Sequence, residues 1–80
     1  MLSIRVYGPG CARCRETEQR IRDVVEQLGV NATVEKATDF ADMAQAGILT
    51  TPAVAINGVI KMAGRVPSEK DVKKWLAEMG

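Results

Sequence analysis

The sequence predicts an α/β protein whose elements run β-α-β-α-β-β-α, and three observations carry that prediction. Leu2, Ile4 and Val6 alternate with Ser3, Arg5 and Tyr7 until Gly8-Pro9-Gly10 breaks the period, and Ile21, Val24, Val25 and Leu28 then recur at helical spacing. Asn57-Gly58 separates Ala53-Val54-Ala55-Ile56 from Val59-Ile60-Lys61-Met62, and this dipeptide suits a two-residue hairpin turn with positive φ. Ser68-Glu69-Lys70-Asp71 resembles a capping box, with Val72, Trp75, Leu76 and Met79 as the apolar face behind it.

Taken in order, the first strand hands over to a helix that begins around Cys14 and stops at Gly29, a residue suited to a left-handed helix end. Asn31 to Ala37 carries the weaker pattern Ala32, Val34 and Ala37 amid Thr33, Glu35 and Lys36. It is read as a strand because a strand and its helix need a partner strand to complete a βαβ unit. Thr38 or Asp39 caps a short helix bearing Phe40, Met43 and Ala44, closed by Gly47. Pro52 opens the hairpin, and the chain finishes in a helix. With no repeat, low-complexity stretch or long linker, residues 1–80 are expected to form a single domain.

Eighty residues leave no room for a separate substrate domain, and 46% hydrophobic with 26% charged residues is the balance of a folded chain rather than a disordered one. A net charge of +1, with Lys and Arg dispersed, predicts no nucleic-acid or anionic-lipid partner and points to proteins or small thiols. MLSIRVYG lacks a basic start leading into a long apolar stretch, and no run has membrane-spanning length. A cytoplasmic monomer is expected.

Both cysteines of the chain lie in Gly8-Pro9-Gly10-Cys11-Ala12-Arg13-Cys14. A bridge across so short a loop removes little entropy from the unfolded chain, so a purely structural disulfide is not expected. Cys11 sits where a strand meets a helix, the end of a βαβ unit at which chemistry gathers. Unpaired N–H groups and the helix dipole there favour a thiolate. Cys14, about one turn further on, can reach it. The expected redox roles are Cys11 as nucleophile and Cys14 as resolving thiol. A closed zinc site needs four ligands, and the chain has no His and no third Cys. A two-coordinate Cu(I) carrier is the rival reading, since soft thiolates suit that ion. Against it, small copper carriers place Met two residues before the first Cys, where this chain has Pro9. No cofactor or metal is expected on the redox reading. The first turn of the helix carries Arg13 and Arg15 where acidic residues are usual, so both are candidates for lowering the pKa of Cys11.

GPGCARC after a short strand, GILTTPAVAINGVI in the second half and SEKDVKKWL at the last helix resemble the thioredoxin-like fold, in particular the small redox-active disulfide proteins of prokaryotes. The resemblance spans nearly the whole chain and implies a minimal thioredoxin-like fold with a four-stranded mixed sheet and helices on both faces. It implies a cis Pro52 facing the C-x-x-C, Thr51 offering its backbone to a bound substrate chain, and Pro9 and Gly10 bordering the same groove. It also implies a thioredoxin-reductase-like electron donor. Thioredoxins proper carry Trp before the first Cys and Gly-Pro between the pair, where this chain has Gly10 and Ala12-Arg13. The position of the buried carboxylate used by larger thioredoxins falls on Arg5, with Glu35 or Lys36 as substitutes. The later Gly-Gly of glutaredoxins is replaced by Ala63-Gly64, so glutathione specificity is not implied. Trp75, Met43 and Met62 are read as core, and Gly64 as a close backbone approach to the proline loop.

Overall fold

The computed structural model describes residues 1–79, Met79 by its backbone alone, so the expected place of the Met79 side chain on the last apolar face lies outside the described residues. The elements are β1 (Leu2–Tyr7), α1 (Ala12–Leu28), β2 (Ala32–Ala37), α2 (Phe40–Gln45), β3 (Ala53–Ile56), β4 (Val59–Ala63) and α3 (Glu69–Met79), in the order read from the sequence. The strands lie in the order β2-β1-β3-β4, with β1 parallel to β2 and antiparallel to β3, which makes a mixed sheet.

Alternation along β1 sends Leu2, Ile4 and Val6 to one face, where they pack with Ile21 and Val24 of α1 and with Val72, Trp75 and Leu76 of α3. Tyr7, Ala37, Ala53 and Ala55 meet Met43 of α2 and Ile48 on the other face. Helices therefore cover both faces, as a minimal thioredoxin-like fold requires. All four residues of β3 are buried, which is why that strand reads as a continuous apolar run rather than an alternation.

The hairpin turn has positive φ at both Asn57 (51°) and Gly58 (83°), as a type I′ turn demands. Asn57 also ties the hairpin to β1: its Oδ1 accepts from the Ser3 N–H at 2.9 Å and its own N–H donates to the Ser3 carbonyl at 2.8 Å.

α1 ends at Gly29 (φ 63°), whose N–H and that of Val30 donate back to Glu26 and Val25. Leu28, expected on the apolar face, is exposed. The chain reverses at Gly29 and brings Val30 back against the core beside Val25, so Val30 supplies the contact assigned to Leu28. In α2 the cap is Asp39, whose Oδ1 accepts from Ala41 N–H at 2.8 Å. Phe40 and Ala44, expected to face inward, are exposed, and Met43 alone of that helix is buried. Six residues reach only about 9 Å, too short to lay a two-turn stripe on the sheet. Farther along α1, Arg22 donates to Glu18 Oε2 at 2.9 Å and to the Val34 carbonyl at 3.1 Å, joining helix to strand.

α3 starts with a reciprocal box: Ser68 Oγ accepts from the Asp71 N–H at 3.1 Å while the Asp71 carboxylate accepts from the Ser68 N–H at 3.2 Å. The Ser68 backbone bond, chiefly, holds the Asp71 carboxyl below its ordinary range. Loss of the cap oxygen in Ser68→Ala is expected to lower stability by about 1 kcal/mol, read as a shift of the urea midpoint. A carboxylate with a depressed folded-state pKa stabilises above its unfolded pKa, and that contribution is lost as pH falls through the folded value. The gap between wild type and Asp71→Asn should therefore narrow in acid. No described helix is long and apolar enough to cross a membrane.

Candidate active site

β1 keeps its ladder for one residue beyond Tyr7, the Gly8 N–H donating to the Ala37 carbonyl at 3.0 Å. The chain then turns outward through exposed Pro9 and Gly10, the latter at φ 93°, and α1 begins with Cys11 as its cap. Extended backbone at Cys11 aims its Sγ at the helix start, where it accepts from the Cys14 N–H at 3.3 Å. The Cys11 carbonyl accepts from Arg15 N–H at 3.0 Å. A sulfur thus takes the place usually filled by a Ser or Asp oxygen, and an anion there satisfies backbone donors that have no helical partner.

Both cysteines are free thiols, Cys11 exposed and Cys14 5% exposed. The Cys14 thiol, as hydrogen-bond donor, is the largest influence pulling the Cys11 pKa below its ordinary value, followed by the Cys14 N–H; the Arg13 N–H adds to it. Arg13 thus enters through its backbone rather than its charge. Burial, first, and the hydrogen bond to Cys11, second, push the Cys14 thiol up. Geometry and acidity therefore separate two chemically identical groups into an accessible, readily ionised sulfur and a covered, protonated one.

Gly8, which the sequence marks only as a strand breaker, is what lets Cys14 occupy its position. A Cβ on Gly8 would overlap Cys14 Sγ and stand 3.1 Å from Cys14 Cβ and 3.8 Å from Thr51 Cβ. Cys14 and Thr51 thus lie against the same glycine. Thr51 is half-buried, Pro52 is buried and the bond between them is cis. Gly64 (φ 90°) donates its N–H to the Pro52 carbonyl at 2.9 Å, and a side chain there would meet Thr50 Oγ1 at 3.1 Å. That is the close approach its sequence position suggests.

Beside Cys14 opens a cavity of about 210 Å³ bordered by Gly8, Gly10, Arg15, Lys36 and Thr38. Alternation along β2 turns Lys36 toward α1, where its Nζ lies 3.8 Å from Glu18 Oε1, and turns Glu35 away. Glu35 meets Arg5 at 3.4 Å, and Arg5 lies 6.0 Å over the Tyr7 ring. Of Glu35 and Lys36, the candidate substitutes for a buried carboxylate, Lys36 alone borders the cavity at Cys14. The local pattern marks Thr38 only as a helix cap; its place at the cavity follows from the end of β2 meeting the start of α1. Among the described residues no group of three or more Cys, Asp or Glu is placed to hold a metal ion.

The family model described as the thioredoxin domain matches residues 2–77. A thioredoxin of Methanothermobacter thermautotrophicus is 38% identical over 77 residues, covering 96% of this chain and all of its own length. A thioredoxin of Methanocaldococcus jannaschii is 37% identical over 76 residues, covering 95% of this chain and 87% of its own. A probable thioredoxin of M. thermautotrophicus is 29% identical over 76 residues, with 90% and 88% covered. With the match running from β1 into α3 and a dithiol at the first strand-to-helix junction, this chain belongs to the thioredoxin family, whose chemistry is thiol–disulfide exchange.

Proposed function

We propose that the protein is a cytoplasmic, monomeric thiol–disulfide oxidoreductase in which Cys11 is the nucleophile and Cys14 the resolving thiol. The observation that supports this reading most is the pairing of one exposed sulfur, seated as the cap of α1, with a second sulfur buried one turn behind it. Cys11 thiolate attacks one sulfur of a substrate disulfide and expels the other as a thiolate, leaving a mixed disulfide on Cys11. Cys14 loses its proton to solvent or to the departing thiolate and attacks Cys11 Sγ, expelling the second substrate thiolate. The protein dithiol is oxidised by two electrons and the substrate disulfide is reduced. Pro9, Gly10, Thr51 and Pro52 form the rim on which the substrate chain rests, with the Thr51 backbone as its hydrogen-bonding partner. A thioredoxin-reductase-like donor restores the dithiol.

Mixing the reduced protein with an excess of a small disulfide tests the reading. Two thiols should be released per chain, and the protein mass should fall by two hydrogens. Stoichiometric Cu(I) binding without thiol release would instead favour the copper-carrier reading. A second expected outcome concerns acidity. A small alkylating agent should modify Cys11 well before Cys14, with a pH midpoint below that of a free thiol. Arg13 is proposed to add to the effect through its backbone N–H and Arg15 by charge, so Arg15→Glu should move the midpoint upward; an unchanged midpoint would assign the effect to the helix start and Cys14 alone.

A further inference from the structure

The cavity beside Cys14 has a chemical character that disulfide exchange as such does not require. Two cationic residues, Arg15 and Lys36, stand on its border with Thr38, and no acidic residue does. The whole chain is nearly balanced, at +1, so this concentration of one sign is local. Among the described residues Arg15 makes no ion pair, and Lys36 makes only the 3.8 Å approach to Glu18, whose other oxygen is already bonded to Arg22 at 2.9 Å. Gly8 and Gly10, having no side chains, leave the space open up to Cys14.

We propose that this cavity is a subsite for an anionic group carried by a small substrate disulfide within a few bonds of its sulfur. The proposal rests on the thiol–disulfide reading and refines it. When Cys11 has been captured as Cys11–S–S–R, the group R projects from the residue next to Gly10, on the cavity's border, and Cys14 must attack past it. At about 30 Å³ for each water-sized occupant, 210 Å³ accommodates a group of roughly seven heavy atoms. A short carboxylate or sulfonate arm fits this size, whereas a folded surface does not. Such an arm brings its charge to Arg15 and Lys36 while its sulfur stays at Cys11. After Cys14 attacks Cys11 Sγ, the Cys11–Cys14 disulfide remains and the arm leaves as R–S⁻.

The test compares three disulfides of similar size: dithiodipropionate (anionic), bis(2-hydroxyethyl) disulfide (neutral) and cystamine (cationic). Each rate constant is divided by that of dithiothreitol with the same disulfide, which removes differences in leaving-group chemistry. Two partly exposed charge contacts of about 0.2–1 kcal/mol each correspond to a preference of up to about thirtyfold for the anionic over the neutral compound. Cystamine should be the slowest. Lys36→Gln and Arg15→Gln should each reduce the anionic-to-neutral ratio, and together bring it near one. The ratio is the readout because any change in Cys11 acidity cancels from it. Equal normalised rates in wild type, or a preference that survives the double substitution, would overturn the subsite and leave the oxidoreductase reading standing. No reduction of any of the three would overturn that reading itself.

Discussion

Cys11→Ser is expected to reduce disulfides no faster than solution without protein, and Cys14→Ser to stop after one half-reaction. The asymmetry follows from the site rather than from the motif. Cys11 is the exposed sulfur, with its pKa lowered by the Cys14 thiol and by backbone N–H groups; a serine hydroxyl there stays protonated at neutral pH and is no nucleophile toward sulfur. Cys14 is buried and pushed toward its protonated form, so it cannot open a substrate from solution, but it is within a turn of the sulfur it must attack. Mixed with a small disulfide, Cys14→Ser should therefore release one thiol per chain and carry the remaining half of the substrate on Cys11, visible as an added mass. Wild type should release two. Equal activity in both variants would refute the assignment of roles.

Gly8→Ala should slow the resolving step through the space it takes from Cys14. The new methyl group takes the space of Cys14 Sγ. Gly8 does not occupy the left-handed region, so alanine carries no backbone penalty there and would otherwise gain some stability by restricting the unfolded chain. The expected loss is steric, about 1–3 kcal/mol for overpacking, and toward the low end because Sγ can rotate into the adjoining cavity. A displaced Cys14 sulfur is expected to attack Cys11 more slowly. The mixed disulfide should accumulate in Gly8→Ala as it does in Cys14→Ser, but decay slowly instead of persisting. Thermal unfolding of Gly8→Ala with Cys14→Ala separates the causes. Without Sγ the alanine should recover most of its cost, and a cost that stays undiminished would place the strain in the backbone.

These two glycine and cysteine cases mark what the sequence discloses. Cys11 and Cys14 are legible because a C-x-x-C at a strand-to-helix junction fixes their relation within one turn of chain. β1, the hairpin and α3 are legible for a similar reason: alternation, Asn57-Gly58 and the Ser68–Asp71 box are each local. Leu28 departs from the apolar pattern because helical spacing continues past the point where α1 still lies on the sheet, and Phe40 and Ala44 because six residues are too few to lay a stripe on it. Val30, outside the helix, fills the gap that Leu28 leaves. Gly8 and Thr38 acquire their roles from packing between segments that are neighbours only in the folded sheet. Lys36 is intermediate: the period of β2 places it on the α1 side, but the cavity it meets exists only once β1 and α1 are assembled.

The double engagement of Arg22 has a consequence for how these molecules tolerate one another at high concentration. β2 is an outer strand of the sheet, and an outer strand offers free backbone groups on which a foreign strand can template itself. The bonds Leu2 N–H to Asn31 carbonyl and Gly8 N–H to Ala37 carbonyl show that odd-numbered acceptors of this segment face β1. The Val34 carbonyl accordingly points outward. Arg22 occupies it, and Glu18 holds the guanidinium in place. A second chain approaching along β2 meets a charged, already bonded acceptor midway along the strand. Registry along that edge is interrupted there, and polymerisation through it is disfavoured.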